Sequence, residues 1–374
     1  MQLALKRAGY PLLVDGIFGT NTCRALADFL QTDRTPDRIC VVDRSVWEKL
    51  LPYLRGYATE EGENRILFED PVTSVEVPYT SLLTAAVIDG LLARYPFLKS
   101  GEIGKSVMGK PISYLEIGNG EKEVFYNASF HANESITTPV LLKFAEEYAQ
   151  AYEKGTALYG VPAAELFEEY RLFLVPLVNP DGVDLVNGLL TDGGYYRRAQ
   201  QIASDYPTIP FPAGWKANIE GIDLNLQFPA GWENAKRIKY AQGYTKPAPR
   251  DYVGEAPLTA PESEAVYAFT RSHDFRLILA YHTQGEVIYW KYLDYEPARS
   301  YEIAQYFGRV SGYTVEQTPT QSGYAGYKDW FIQEYDRPGY TIEAGMGENP
   351  LPMSDFAGIY RDNTGILLGG MTQI

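Results

Sequence analysis

Two of the three histidines in this chain each follow an apolar stretch with the character of a buried β-strand. His131 comes directly after residues 124–130, and His282 follows the run 275–281. Glu134 lies three residues beyond His131, which places it on the same side of a first helical turn. Two imidazoles and one carboxylate at strand ends form a three-ligand zinc set that leaves a fourth position for water. The pattern favours a catalytic zinc site, because structural zinc usually has four protein ligands. Taken alone, His131 also fits a strand-end histidine with ordinary hydrogen bonds.

Strand-like and helix-like segments alternate through most of the chain. Such alternation predicts an α/β fold with a mixed, mostly parallel sheet and helices on both faces. Ligand sites in these sheets gather at the carboxyl ends of the strands, which is where both histidines fall. The predicted segments are 82–92, 124–130, 137–152, 170–178, 262–273, 277–282, 301–312, 340–343 and 356–368.

Composition divides the chain into a small first domain, residues 1–54, a polar linker, residues 55–76, and a large domain, residues 77–374. The net charge of the whole chain is −15. The small domain carries seven Lys or Arg and six Asp or Glu, which leaves −16 on the remainder. Nucleic acid is therefore not an expected partner of the large domain.

The small domain is predicted to contain three short helices. The first spans Met1–Ala8, Thr20 or Asn21 caps the second, and Asp43 caps the third. Two cysteines, Cys23 and Cys40, lie here; they could pair, but two cysteines do not form a disulfide framework. We expect no membrane span, since no run of 18 apolar residues exists, and no signal peptide.

Four further short segments follow the first histidine motif in a set order. They are Asn-Pro-Asp-Gly at 179–182, Gly-Ile-Asp-Leu-Asn at 221–225, Ala-Tyr-His-Thr at 280–283 and Tyr-Thr-Ile-Glu at 340–343. Together the five motifs resemble the zinc metallocarboxypeptidase family, whose best-known member is carboxypeptidase A. The resemblance runs from about Tyr79 to the C-terminus and implies a zinc-dependent peptidase.

This resemblance implies roles for five residues. His131, Glu134 and His282 would bind one zinc ion, which lowers the pKa of bound water and polarises a carbonyl group. Asp223 falls where the family has an aspartate bonded to the first zinc histidine, a contact that selects the tautomer. Glu343 falls where the family has its catalytic glutamate, a general base that passes a proton from water to the leaving amine.

One cation, Lys216, and the third histidine, His273, depart from the family pattern. The family stabilises the oxyanion with an arginine after a tryptophan, and here that place is occupied by Trp215-Lys216. Lys216 supplies a point charge but not the two-pronged fork of arginine. His273 matches no family motif, so we expect a structural role for it.

The main departure from the family lies at Leu226. Carboxypeptidases have an arginine here that grips the free C-terminal carboxylate of the substrate, whereas the preceding Asn225 is retained. An enzyme without this clamp has no reason to require a chain end. We therefore expect an endopeptidase, or recognition of the substrate through other groups.

Segments 323–331 and 343–350 resemble the γ-D-glutamyl-diamino-acid endopeptidases, which cut the stem peptide of the bacterial cell wall. In the family, the segment before the catalytic glutamate lines the specificity pocket, so Tyr324 and Lys328 join Asn225 as candidate substrate-binding residues. Tyr324 and Lys328 fit plain packing roles equally well. The small domain resembles a three-helix peptidoglycan-binding domain through Leu5, Gly9, Tyr10, Asp15-Gly16-Ile17-Phe18-Gly19, Thr22, Ala25 and Phe29.

These resemblances imply a zinc peptidase that hydrolyses the γ-D-glutamyl–diaminopimelate bond, with peptidoglycan or muropeptides as its partner. They place the protein in a bacterium, either in the cytoplasm in association with sporulation or at the cell wall. Three alternatives stay open at this point. The chain could be a zinc carboxypeptidase acting on protein or peptide C-termini, or a wall-binding protein with an inactive enzyme domain, and its small domain could be a packed helical cap.

Overall fold

The computed structural model describes residues 1–31, 42, 44–53 and 71–374. These residues form two compact units, Met1–Val77 and Pro78–Ile374. The predicted cap Asp43, the cysteine Cys40 and residues 55–70 of the predicted linker lie outside the described residues. In the part of the chain that is described, no helix combines the length and apolar character needed to cross a membrane.

The first unit contains α1 (Gln2–Arg7), α2 (Thr20–Phe29) and α3 (Arg44–Leu50), with a 3-10 turn at Leu51–Tyr53. The expectation that Thr20 or Asn21 caps α2 is wrong. The N-cap is Gly19, whose backbone is extended (φ −95°, ψ −173°) and whose carbonyl accepts the first helical hydrogen bond, so Thr20 is already helical. The buried core of this unit comprises Ala4, Leu5, Ala25, Leu26, Val46 and Leu50.

The second unit alternates strands and helices, as expected. Its elements are α4 (Ser81–Arg94), β1 (Lys99–Lys105), β2 (Pro111–Ile117), β3 (Lys122–Ala128), α5 (Thr137–Glu153), β4 (Ala157–Leu158), β5 (Val161–Pro162), α6 (Ala163–Glu169), β6 (Tyr170–Val175), α7 (Pro180–Val186), α8 (Gly193–Ser204), α9 (Trp232–Ala241), α10 (Pro261–Arg271), β7 (Leu277–His282), β8 (Val287–Tyr289), α11 (Ser300–Ser311), β9 (Thr314–Glu316), α12 (Tyr327–Tyr335), β10 (Gly339–Glu343) and α13 (Phe356–Thr372). Short 3-10 turns lie at Ala132–Glu134, Leu224–Leu226 and Met353–Asp355.

An eight-stranded sheet runs through this unit in the order β1-β2-β6-β3-β7-β10-β8-β9. The four central strands, β6, β3, β7 and β10, are parallel to their neighbours in that group. Antiparallel pairs join β1 to β2, β2 to β6 and β10 to β8, while β9 pairs in parallel with β8. The mixed, mostly parallel sheet predicted from the sequence is thus confirmed.

Helices cover both faces of this sheet, as successive residues of β3 show. Phe125 contacts Phe269 of α10 on one face, with ring centroids 5.5 Å apart. Tyr126 points to the opposite face, where its hydroxyl donates to the carbonyl of Leu367 in α13 over 2.8 Å. Both side chains are fully buried. Side chains at the strand ends are therefore the ones left to form an accessible site.

Candidate active site

The segment that carries the first two predicted ligands leaves the sheet through a sharp turn. β3 ends at Ala128, three residues before His131, and Ser129 adopts a left-handed backbone with φ +53°. The Ser129 hydroxyl is 2.8 Å from that of Thr138, which pins the turn to the start of α5. His131 then has an extended backbone, and the 3-10 turn that follows carries Glu134 back beside it.

Hydrogen bonds from the Asn-Pro-Asp-Gly motif at 179–182 hold this turn in place. The Asn179 side-chain amide donates to the carbonyls of Phe130, over 3.1 Å, and Ala217, over 3.0 Å. A side chain at Gly182 would lie 2.7 Å from the Ala217 carbonyl oxygen and 2.8 Å from the Ala132 methyl group. The motif therefore holds the segments before His131 and after Lys216 together at close approach.

His131, Glu134 and His282 come together with the geometry of a metal site. Their potential ligand atoms all lie within 4.8 Å of one another. The Glu134 carboxylate places Oε1 3.0 Å from His131 Nδ1 and Oε2 3.0 Å from His282 Nδ1. The two Nδ1 atoms are 3.2 Å apart. Two nitrogens bound to one tetrahedral zinc at its usual bond length are separated by about 3.3 Å, so the donor set fits zinc.

Asp223 holds the His131 ring from its other side. Its Oδ1 is 3.0 Å from His131 Nε2, and its Oδ2 accepts from the backbone N–H of Asp251 over 3.0 Å. With the proton of the neutral ring on Nε2, the Nδ1 lone pair is directed at the metal position. The structure thus brings Asp223 to the place where the resemblance put it.

Charge concentrates in this site despite its burial. Burial favours the neutral imidazole, but the charges of Glu134 and Asp223 outweigh it and raise the pKa of His131 to about 9. Burial would raise the pKa of Glu134, yet Lys216 and His131 hold it well below its usual range. The pKa of Asp223 is likewise lowered, against the effect of burial, by the charge and hydrogen bond of His131. An ionised carboxylate facing basic ring nitrogens is the arrangement that a divalent cation stabilises.

Lys216 lies at the edge of the metal position. Its Nζ is 2.9 Å from Glu134 Oε1, and its side chain is only 16% exposed. Burial lowers the pKa of Lys216, but the charge and hydrogen bond of Glu134, together with the charge of Glu343, outweigh burial and raise the pKa overall. The ammonium group therefore stays charged inside the site.

Glu343 ends β10 beside the second histidine. In the parallel ladder it pairs in register with His282, so the two side chains leave neighbouring strands at the same level. Burial raises the pKa of Glu343, and no group among the described residues hydrogen-bonds to its carboxylate. A carboxylate with a raised pKa and free oxygens is suited to receive a proton.

A cavity of about 220 Å³ opens onto these groups. Among the predicted residues, His131, Lys216, Asp223, Asn225, His282, Lys328 and Glu343 line it. Glu134 lies beneath them and is 1% exposed. Tyr324 is not among the lining residues; its ring packs against Tyr292, with the ring centroids 6.4 Å apart.

Lys328 lines the cavity, but its ammonium group is surrounded by protein oxygens. Nζ donates to the Lys291 carbonyl over 2.7 Å and to the Thr318 hydroxyl over 3.0 Å. It also lies 2.6 Å from Asp329 Oδ1. The side chain is 3% exposed, so its charge is matched within the protein.

The cavity also contains residues that sequence reasoning missed: Tyr289, Lys239, Arg250, Asp251 and Asp329. Tyr289 reaches it because β8 pairs antiparallel with β10, opposite Thr341. Asp329 directly follows a predicted candidate, so the same segment held a signal for it. No local pattern marks Lys239, Arg250 and Asp251. Lys239 lies on α9, and the other two lie on the irregular loop between α9 and α10.

Comparison with known proteins agrees with this geometry. The family described as zinc carboxypeptidase, Peptidase M14, matches residues 84–364. Gamma-D-glutamyl-L-diamino acid endopeptidase 1 of Lysinibacillus sphaericus is 48% identical over 285 residues, which cover 76% of this chain and 70% of that protein. The uncharacterized protein YqgT of Bacillus subtilis (strain 168) is 44% identical over 276 residues, 73% of this chain and 72% of that protein.

A solved structure supports the fold independently. Carboxypeptidase A from Helicoverpa armigera superposes with a TM-score of 0.58 at 19% identity, covering 89% of this chain and 81% of that chain. The chain therefore belongs to the zinc carboxypeptidase family, and it is a zinc metallopeptidase in which His131, Glu134 and His282 are positioned to bind the metal.

Proposed function

We propose that this enzyme hydrolyses the bond between γ-D-glutamate and the diamino acid, diaminopimelate, in peptidoglycan stem peptides. The observation that carries the proposal is the 48% identity to gamma-D-glutamyl-L-diamino acid endopeptidase 1, over a stretch that covers 76% of this chain. Peptidoglycan or soluble muropeptides would then be its partners.

The proposed reaction is the attack of water on the scissile carbonyl. Zinc, when bound by His131, Glu134 and His282, supplies a Lewis acid that acidifies water and polarises that carbonyl. Glu343 accepts the proton of the attacking water, since its carboxylate is unpaired and its pKa is raised by burial. The same carboxyl group then delivers the proton to the departing amine of the diamino acid.

Lys216 is proposed to stabilise negative charge that develops on the carbonyl oxygen. Its ammonium group is held 2.9 Å from Glu134 and lines the cavity beside His131. A fixed cation in a buried site needs little reorganisation during the reaction, which is the condition for strong electrostatic stabilisation.

The cavity wall at Leu226 argues for an endopeptidase over a carboxypeptidase. Leu226 is 7% exposed and packs with Trp232, Ala235 and Val253, so it offers no charge to a terminal carboxylate. The neighbouring Asn225 lines the cavity and is proposed to contact substrate. Its Oδ1 accepts from the Tyr327 N–H over 2.9 Å, which fixes the side-chain amide.

Tyr324 and Lys328 are retained as proposed specificity residues on the segment ahead of α12 and in its first turn. Lys328 is expected to act by fixing Thr318 at the cavity, because its own donors are engaged. Tyr324 lies behind the cavity wall and would contact substrate only after this segment moves.

The first unit is proposed to bind peptidoglycan. The loop before α2 is held by Gln2, whose Nε2 donates to Asp15 Oδ1 over 2.6 Å and whose Oε1 accepts from the Gly16 N–H over 2.9 Å. This anchored loop leaves Ile17 and Phe18 exposed, at 38% and 43%. Cosedimentation of the full chain with purified cell wall should fall when Phe18→Ser is introduced; unchanged sedimentation would contradict wall binding through this loop.

Competition between two isomeric peptides tests the proposed activity. The enzyme should cleave γ-D-glutamyl-diaminopimelate and leave the α-L-glutamyl isomer largely intact, with products read by mass spectrometry. The Glu343→Gln variant is the matched control for contaminating peptidases. Equal cleavage of the two isomers would refute the proposed substrate and leave a zinc peptidase of broad specificity.

A further inference from the structure

Among the described residues, four Lys and Arg side chains line the cavity, and they differ in how many of their N–H donors have partners within the protein. Lys216 is paired with Glu134, and Lys328 has three oxygen partners within the protein. The Lys239 ammonium lies 2.5 Å from Asp251 Oδ1 and its side chain is only 10% exposed. These three charges are each matched by a neighbouring group.

Arg250 is different from the other three. Its Nε donates to Asp251 Oδ2 over 2.7 Å, and its side chain is 43% exposed. No group among the described residues accepts from its terminal Nη1 and Nη2. A guanidinium group bound only through Nε retains the N–H donors of both terminal nitrogens, which suit a carboxylate in two-pronged geometry.

The backbone around Arg250 is tied to the zinc-binding region. The Pro249 carbonyl accepts from the N–H groups of Lys216, over 2.7 Å, and Ala217, over 2.9 Å. Asp251 has a left-handed backbone with φ +66°, an uncommon conformation for a residue other than glycine, and donates its N–H to Asp223. The backbone at Arg250 is therefore held relative to His131, and the bond from Nε to Asp251 directs the guanidinium.

Asp251 orients Arg250 without cancelling the local charge. Its single negative charge lies between Lys239 and Arg250, so the three side chains together carry a net charge of +1. Leu226, on the wall of the same cavity, is uncharged. An anionic group that enters the cavity thus meets a preorganised cation with free donors.

From this arrangement we propose that Arg250 is a specificity-determining residue that binds a free carboxylate of the substrate. The inference rests on the proposed function, because a γ-linked glutamyl–diaminopimelate peptide carries such carboxylates close to the scissile bond. A γ-linkage leaves the α-carboxylate of D-glutamate free, and diaminopimelate adds its own. Both sources present the same chemistry to the guanidinium.

The test uses full-length enzyme and three peptides: L-Ala-γ-D-Glu-diaminopimelate, its analogue amidated at the glutamate α-carboxylate, and its analogue amidated at both carboxylates of diaminopimelate. Arg250→Met should lower kcat/KM for the parent peptide on the order of 10- to 100-fold, the range for a hydrogen bond to an ion. The analogue that lacks the recognised carboxylate should be cleaved equally by both enzymes. That analogue identifies which carboxylate Arg250 binds.

Two further variants make the result specific. Arg250→Lys keeps the charge but loses the fork, so its loss should be intermediate. Arg276→Met removes a comparable arginine, 52% exposed and 3.0 Å from Asp274, and should leave all three rates unchanged. Zinc content should be the same in every variant, which excludes an indirect effect through Asp223.

A uniform loss on all three peptides would overturn the inference, because it would indicate a role in the reaction step or in folding. No loss on any peptide would overturn it equally. In both cases cleavage of the parent by wild-type enzyme would leave the proposed function intact. If the wild-type enzyme cleaves none of the three peptides, the proposed function fails and this inference fails with it.

Discussion

Replacing Asp223 by asparagine tests how the zinc-binding histidine is held. The carboxylate accepts hydrogen bonds at both oxygens, from His131 Nε2–H and the Asn225 N–H at Oδ1 and from the Asp251 N–H at Oδ2. An amide has one acceptor oxygen and one donor nitrogen, so it cannot accept at both positions. One orientation places its NH₂ group against the Asp251 N–H, and the other places it against His131.

The size of the effect follows from these two orientations. When the NH₂ group faces Asp251, the Asp251 N–H is left without an acceptor, which destabilises the fold by about 1–3 kcal/mol. When the NH₂ group faces His131 instead, the imidazole ring must accept a hydrogen bond at Nε2. Its proton then lies on Nδ1, the atom that faces the metal position. Loss of such a supporting contact weakens metal binding about 10- to 100-fold. This corresponds to about 1.4–2.8 kcal/mol of zinc-binding free energy.

The assay is zinc affinity, measured by competition with a chromogenic chelator at neutral pH. Asp329→Asn is the matched control, since Asp329 is buried at the same cavity but pairs with Lys328 rather than a histidine. Asp223→Asn should bind zinc more weakly, whereas Asp329→Asn should bind it as the wild type does. If the zinc affinity and the free energy of unfolding of Asp223→Asn both equal those of the wild type, this account of Asp223 is refuted, because each orientation of the amide must lower one of them.

Three further outcomes are expected. Glu343→Gln should fold and retain zinc while kcat falls about 10²–10⁴-fold, the range for losing general acid–base help; near-normal turnover would remove Glu343 from the mechanism. His282→Ala should abolish zinc retention and activity, as chelation should in the wild type, whereas His273→Ala should keep its zinc because that ring packs among aromatic side chains away from the site. Burial raises the pKa of Glu262 from 4.5 to about 7, so the folded state keeps its proton where the unfolded state has lost it. The contribution of Glu262 to the free energy of unfolding should therefore be fully present below pH 4.5 and be lost, by about 3 kcal/mol, as the pH rises to 7; denaturant titrations should show Glu262→Gln lacking this part of the pH dependence.

Local pattern was enough to predict the sheet and the strand-end histidines, whereas Asp223, Lys216 and Glu343 were assigned through the resemblance to the zinc carboxypeptidase family. Buried strands give continuous apolar runs, and chemistry-bearing residues placed directly after them must meet at one sheet edge. Strand ends were less accurate: β3 ends at Ala128 rather than at residue 130, because Ser129 turns the chain with φ +53°. Nothing in the sequence marks this serine as a residue with a left-handed backbone.

The substrate side of the cavity was much harder to predict. Tyr289 reaches the site only through the pairing of a three-residue strand with β10, and such short strands carry little periodicity. Arg250 lies on an irregular segment whose position depends on hydrogen bonds to Lys216 and Asp223. The Lys328 ammonium group donates to oxygens of two other segments, at Lys291 and Thr318. Its partners could therefore not be predicted from the residues next to it in the sequence.

The pairing of Glu343 with His282 in neighbouring strands limits where the sequence can vary while the spacing of these two residues is kept. Hydrogen-bonded neighbouring strands lie about 4.8 Å apart, and that spacing cannot widen unless the ladder breaks. Backbone amides of these strands should therefore resist hydrogen–deuterium exchange until the whole unit unfolds. The residues around Arg250 belong to an irregular loop instead, so libraries of loop variants can search for new substrates while Glu343 and His282 keep their separation.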